Sequence, residues 1–158
     1  MARSVFGLAA LAAVFAILAP QATLADESQC PVYDYRYTAD MFWVRVSGDV
    51  ATIGVVPLAL ELDPIYLGFT QDIGAEITAG QVIGSLEGTL DTLQLTSPVS
   101  GALSEINNTI EADPEQLPVD PLREGWLYKI DVGETIEAEI EALMTADEFS
   151  ALGEGYCG

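Results

Sequence analysis

The chain has 158 residues, of which 50% are hydrophobic, and its 25 acidic residues outnumber five basic ones to give a formal net charge of −20. This balance argues against a nucleic-acid partner, because phosphate binding needs clustered cations. The sequence has no histidine, which excludes histidine-dependent general-base catalysis, catalytic triads and the usual zinc sites.

Residues 1–25 are predicted to be a secretory signal peptide. Arg3 supplies a positive charge, residues 5–20 form an unbroken apolar run, and a small-residue pattern follows. Cleavage is expected after Ala25, which leaves residues 26–158 as one secreted or periplasmic domain. The alternative is an uncleaved membrane anchor, but a run of about 16 residues is shorter than the roughly 20 that span a bilayer.

The two cysteines, Cys30 and Cys157, lie near the two ends of the mature chain. In an oxidising compartment we expect them to form one disulfide. Loop-closure entropy assigns such a bond roughly 5 kcal/mol of stabilisation. The alternative is a redox-active pair, although the chain has neither a Cys-x-x-Cys motif nor a histidine that would lower a thiol pKa.

The first part of the mature domain is predicted to form β-strands. Residues 37–48 alternate apolar and polar side chains from Phe42 onward and end at a Ser-Gly-Asp turn. Residues 50–56 follow as a second strand, so the two form a predicted hairpin. Residues 57–61 are compatible with a short helix, and residues 65–69 favour a strand because β-branched and aromatic side chains dominate them.

Residues 72–107 contain short apolar segments separated by glycine and proline turns. This spacing favours a compact sandwich or flattened barrel over a parallel α/β sheet. Within it, the stretch "LEGTLDTLQLTSPVSG" at 86–101 is typical of a β-hairpin that presents one side chain at its turn. The predicted tip consists of Glu87, Gly88, Thr89, Leu90 and Asp91.

The C-terminal part changes from strand to helical spacing. A long loop is expected before a strand over 126–132, and a helix is predicted over 134–143. Thr145 and Glu148 have the spacing of a capping box at the start of a second helix. The first of these helices has an apolar stripe, Ile136, Ile140, Leu143 and Met144, and a stripe of glutamates expected to face solvent, Glu134, Glu137 and Glu141.

Four stretches carry a family resemblance: "YTADMFWVRV", "GDVATIGV", "GAEITAGQVIGSLE" with "LTSPVSGALSEIN", and "DPEQLPVDPLREGWLYKI". In order and spacing, they resemble the first two strands, the two arms of the lipoyl hairpin, and the long loop and last strand of the glycine cleavage system H protein. The resemblance runs from residue 37 to about 153. It implies a mainly β, lipoyl-domain-like barrel-sandwich hybrid with C-terminal helices from about residue 134.

The resemblance places the lipoate-bearing lysine of the family at Leu90. The family tip has a glutamate, a small residue, a β-branched residue and then the lysine, whereas this chain has Glu87, Gly88, Thr89 and Leu90. Lipoate is attached through an amide to a lysine amine, which leucine lacks. The one lysine of the chain, Lys129, lies in a different predicted element. We therefore expect no lipoate and no other cofactor.

These observations predict an exported, non-lipoylated H-protein-like accessory module that is not an enzyme and presents Leu90 to an unknown protein partner. The alternative for Leu90 is that it contacts nothing, because single exposed leucines are common. Glu87 and Asp91 could act as paired carboxylates, but we expect no pocket at an exposed tip.

Two other functions are weighed against this prediction. The first is a genuine glycine cleavage H protein that carries an aminomethyl group, which the absence of a tip lysine disfavours. The second is a ligand- or metal-binding protein that uses the acidic loop 105–124. The acidic surface itself is typical of a solvated exported protein, with a docking face for a basic partner or for calcium as the alternative. The chain has no Asp-x-Asp-x-Asp-Gly calcium loop. The acidic side chains of the loop are Glu111, Asp113, Glu115 and Asp120.

Overall fold

The computed structural model describes residues 34–133 and 136–152. The predicted signal peptide and the cysteines of the predicted disulfide, Cys30 and Cys157, lie outside these residues. Within them the structure has nine strands: β1 (Arg36–Tyr37), β2 (Phe42–Ser47), β3 (Val50–Val55), β4 (Pro64–Phe69), β5 (Glu76–Ile77), β6 (Val82–Gly88), β7 (Thr92–Thr96), β8 (Gly101–Ile106) and β9 (Trp126–Asp131).

The strands form two antiparallel sheets, which confirms the predicted mainly β class. The six-stranded sheet has the order β1-β2-β3-β9-β8-β5, and the three-stranded sheet has the order β4-β6-β7. Both sheets contribute fully buried apolar side chains to one core, because alternate residues of each strand face the same side. The core side chains include Trp43, Ile53, Leu86, Leu95 and Leu103.

The short helical elements lie between and after the strands. Two 3₁₀ segments, Pro57–Leu62 and Pro114–Val119, accompany three α-helices in the described residues, and the first segment agrees with the predicted short helix. The helices are α1 (Asn108–Ala112), α2 (Ile136–Glu141) and α3 (Ala146–Ser150).

The predicted first hairpin is confirmed. Strands β2 and β3 pair from Phe42 opposite Val55 to Ser47 opposite Val50, and Gly48 in the turn takes a φ of 60°. That left-handed conformation costs glycine little because it has no Cβ. The sequence therefore encodes both the alternation and the turn that closes it.

Trp43 of this hairpin holds the long segment before β9. Its indole Nε1 donates to the carbonyl of Pro121 at 2.9 Å, and its ring stacks on Tyr35 with 4.9 Å between centroids. The Tyr35 hydroxyl donates to the carbonyl of Leu122 at 2.8 Å. A buried indole N–H needs a partner, so these bonds fix where the segment crosses the sheet.

A long connection between β8 and β9 is present as predicted, but it is not only loop, because it contains α1 and the second 3₁₀ segment. The buried Asn107 explains the difference. Its side-chain amide donates to the carbonyls of Glu124 at 2.9 Å and Trp126 at 2.8 Å, and its oxygen caps the amide of Ile110. These partners are distant in sequence, so no local sequence pattern indicates them.

The C-terminal helices agree with their predicted patterns over the described residues. The apolar stripe at 136, 140, 143 and 144 packs against the core, and Glu137 and Glu141 are exposed. The capping box is confirmed: Thr145 and Glu148 exchange backbone-to-side-chain hydrogen bonds. The bond from the backbone amide of Thr145, together with that from its hydroxyl, lowers the pKa of Glu148.

The substitution Gly54→Ala tests the packing of Trp43. Gly54 on β3 lies opposite Trp43 on β2. A Cβ at position 54 would collide with the indole ring. We expect the free energy of unfolding, measured by urea denaturation, to fall by about 1–3 kcal/mol, the usual cost of overpacking. The matched control is Gly133→Ala, where an added Cβ meets nothing. Equal stability of the two variants would contradict this packing.

Candidate functional site

The predicted tip residues form the turn between β6 and β7. The two strands pair up to Glu87 opposite Thr92. The amide of Gly88 donates to the carbonyl of Asp91 at 2.8 Å, and the Asp91 carboxylate accepts from the amide of Thr92 at 2.7 Å. The turn is therefore closed by its own hydrogen bonds. Leu90 lies at its apex with 78% of its surface exposed.

A second set of hydrogen bonds holds the tip against the bend that follows the first 3₁₀ segment. The amides of Thr89 and Leu90 donate to the carbonyls of Asp63 at 3.0 Å and Leu62 at 3.2 Å. The Thr89 hydroxyl also donates to the carboxylate of Asp63 at 2.8 Å. Asp63 takes a φ of 59°, a conformation that aspartate tolerates better than most residues. The tip is thus bonded to a neighbouring element as well as to itself.

Gly88 lies where these two backbones meet. A Cβ at position 88 would collide with the carbonyl oxygen of Leu62. The close approach of these two backbone segments therefore favours glycine at position 88. From the sequence, Gly88 is only a small residue in the tip pattern, because its neighbour Leu62 is remote along the chain.

A cleft of about 460 Å³ opens beside the exposed Leu90. The expectation that no pocket accompanies the tip is therefore wrong. The cleft forms because the 3₁₀ segment and Met41, the residue before β2, lie against the hairpin, an arrangement that strand patterns do not predict. Apart from Leu90, its apolar lining consists of Met41, Leu58, Ala59, Leu62 and Leu93.

Carboxylates surround the tip and the cleft. Glu61 and Asp91 line the cleft, and Asp63 and Glu87 lie on the adjoining bend and strand, all four exposed. In residues 34–133 and 136–152 the one ion pair within 4.0 Å joins Lys129 to Glu105. These four carboxylates therefore have no lysine or arginine partner in the described part of the chain. The surface around the apolar cleft is negatively charged.

The tip does not fit covalent attachment of a lipoyl group. Leu90 has no amine, and the residues on either side of it have none. The ammonium group of Lys129 donates to Glu105 at 2.6 Å and lies 4.2 Å from the centroid of the Trp126 ring. Lys129 is on β9 in the six-stranded sheet, whereas the tip belongs to the three-stranded sheet. The lysine is therefore engaged in another part of the fold.

The other predicted site residues do not converge on a metal site. Across the described ranges, the acidic loop 105–124 included, no three His, Cys, Asp or Glu side chains are placed to hold a metal ion. Asp113 instead accepts a hydrogen bond from Gln116 at 2.6 Å. The metal-binding alternative gains no support from this loop.

None of the helices within residues 34–133 and 136–152 reaches the length and apolarity that crossing a bilayer requires.

Comparison with known proteins identifies one family. Residues 35–155 match the family model described as "Glycine cleavage H-protein". A glycine cleavage system H protein of Beutenbergia cavernae is 38% identical over 119 residues, which cover 73% of this chain and 96% of that protein. One of Nostoc punctiforme is 37% identical over 123 residues, which cover 77% and 94%. These matches confirm the resemblance found in the sequence.

A solved structure gives the same result. The crystal structure of a glycine cleavage system H protein from Mycobacterium marinum aligns with a TM-score of 0.65 at 29% identity, over 77% of this chain and 98% of that one. The similarity confirms the predicted fold. The names of these relatives agree better with the H-protein alternative than with the exported accessory module that the sequence analysis preferred.

The substitution Gly88→Ala tests how the tip is held. Displacing the Leu62 carbonyl should weaken the bonds that the amides of Thr89 and Leu90 make to the bend. We expect faster hydrogen exchange at these two amides and a free energy of unfolding lower by about 1–3 kcal/mol. Gly133→Ala is again the control. Unchanged exchange at both amides would show that the tip does not depend on Gly88.

Proposed function

We propose, from the premise that this chain belongs to the glycine cleavage H-protein family, that it is a non-lipoylated member which binds a protein partner through its hairpin tip. One observation carries the proposal. The resemblance places the lipoyl-bearing lysine at residue 90, and the turn holds a leucine there with 78% of its surface exposed. The part of the molecule shared with the family is then the scaffold, while the group presented to the partner differs.

The chemistry of lipoyl attachment supports this reading. An amide bond to lipoate needs a nucleophilic amine, and a leucine side chain has none. The one lysine of the chain is ion-paired with Glu105. A lipoyl group attached to Lys129 would project from the six-stranded sheet, whereas the tip belongs to the three-stranded sheet.

The way the tip is held supports a docking role. Hydrogen bonds within the turn and to Leu62 and Asp63 fix the backbone on both sides of Leu90. A pre-ordered contact residue loses little conformational entropy on binding. Moving one leucine from water into an interface contributes roughly 1.5–3 kcal/mol. The tip therefore suits recognition by apolar contact.

The proposal includes export and the absence of an enzymatic activity. Export is supported by the order of charged, apolar and small-residue segments over 1–25. In an oxidising compartment, the same proposal pairs Cys30 with Cys157. A partner-binding role needs no catalytic group, and it makes use of Leu90 as it stands.

A second candidate is the glycine cleavage H protein itself. The similarity to the glycine cleavage system H proteins of Beutenbergia cavernae and Nostoc punctiforme favours it. This candidate requires a prosthetic group on a side chain that can form an amide, which Leu90 cannot do. The two candidates therefore differ in one measurable property, the mass of the mature protein.

Lipoylation by a lipoate ligase separates the two candidates. We expect the wild-type protein to gain no mass, because the tip offers no amine. The variant Leu90→Lys should gain one lipoyl group, because the turn holds residue 90 outward. Intact-mass spectrometry of both proteins, and of the wild type isolated from its native host, provides the measurement. A lipoyl group on the wild type that disappears in Lys129→Arg would favour the second candidate.

Site-specific photocrosslinking tests docking through the tip. A photoreactive amino acid at position 90 should form a discrete protein adduct in the native host, whereas one at position 119 should not. Val119 is a matched control because it is 83% exposed but lies in the second 3₁₀ segment. Excess unlabelled wild type should compete for the adduct, and Leu90→Asp should compete less well. Absence of any adduct specific to position 90 would contradict the proposal.

A further inference from the structure

We infer that the cleft beside Leu90 receives an apolar side chain from a partner segment in which lysine or arginine residues flank that side chain. The inference rests on the proposed docking function and specifies the chemistry of the partner. It follows from three features: an apolar cleft, an exposed leucine at its edge, and exposed carboxylates, in the cleft lining and on the adjoining segments, that have no basic partner in the described residues.

The cleft has the size and lining of a site for an apolar group. Its volume of about 460 Å³ lies within the range of about 300–1,000 Å³ typical of ligand pockets. Leu58 and Leu93 are half-buried, and Ala59 and Leu62 form its buried wall. Met41 supplies a flexible thioether that adapts to the shape of its contact. A leucine or phenylalanine side chain in the cleft would bury apolar surface against these side chains.

The negative charge around the cleft favours basic residues on either side of the apolar side chain that enters it. Glu61, Asp63, Glu87 and Asp91 are exposed, and no cation in the described residues pairs with them. A basic segment would pair with these carboxylates and approach faster because of the negative field. An acidic segment with the same apolar residue would be repelled.

The same charge argues against two other occupants of the cleft. A second copy of this chain would bring the same carboxylates to the interface, and like charges facing each other oppose association. An anionic lipid surface would be repelled for the same reason. A basic protein segment is the occupant for which both the cleft and its charge are favourable.

Three synthetic peptides test the inference on the full-length protein. The first, Lys-Arg-Leu-Phe-Arg-Lys, has the anchor and the basic flanks. The second replaces Leu-Phe with Ser-Asn, and the third replaces every basic residue with glutamate. In ¹⁵N NMR titrations we expect the first to shift the amides of Leu58, Leu62 and Leu93 and to bind at least roughly tenfold more tightly than either control. Its affinity should fall as salt rises, because the exposed charges are screened.

Charge variants measure how much the carboxylates around the cleft contribute to peptide binding. The double variant Glu61→Lys/Glu87→Lys should weaken binding of the first peptide by roughly tenfold or more, because two attractive contacts become repulsive. The control double variant, Glu111→Lys/Glu115→Lys, makes the same change in net charge on another exposed segment and should leave binding within about twofold. Both substitutions are at exposed positions, so the fold is expected to persist.

The outcomes separate this inference from the docking proposal. Equal binding of the three peptides, no binding of the first peptide, or shifts confined to residues outside the cleft would overturn the inference. If an adduct at position 90 is still formed in those cases, docking through the tip stands with a partner of different chemistry. If that adduct is absent, the docking proposal itself fails.

Discussion

The backbone carbonyl of Leu62 lies so close to Gly88 that no side chain fits between them. Around this contact, the amides of Thr89 and Leu90 donate to the bend after the first 3₁₀ segment. The β6–β7 hairpin is thereby joined to the end of the first 3₁₀ segment, which is remote from it in sequence. The position of Leu90, the wall of the cleft and the grouping of the tip carboxylates all depend on this junction.

The rest of the molecule supplies a firm base for the tip. Trp43 and Tyr35 bind the carbonyls of Pro121 and Leu122, so the segment before β9 is fixed across the six-stranded sheet. In the connection from β7 to β8, the amide and hydroxyl of Ser100 donate to the carboxylate of Glu139 at 2.7 Å. These bonds connect strands and C-terminal helices far from the cleft. Membership of the family accounts for this scaffold, whereas activity depends on the groups mounted on it.

Much of the fold was predictable because its signals are local. The strands β2 and β3 follow from alternating side chains and a glycine turn, and the capping box follows from Thr145 and Glu148 three positions apart. Helix α1 was missed because Asn107, which caps it, is also held by the carbonyls of Glu124 and Trp126. The bond from Ser100 to Glu139 was missed for the same reason. A local pattern contains no information on partners brought together by packing.

The sequence by itself determined that residue 90 has no amine, that histidine chemistry is absent and that the protein is strongly acidic. These are properties of composition, and folding cannot change them. Only the tertiary structure decided that Leu90 stands beside a cleft and that carboxylates from separate elements, Glu61 and Asp91, line it. The cleft combines Met41, residues 58–62 and residues 90–93, which are remote along the chain. Their proximity follows from how the hairpin packs against the 3₁₀ segment, a property of three-dimensional contacts.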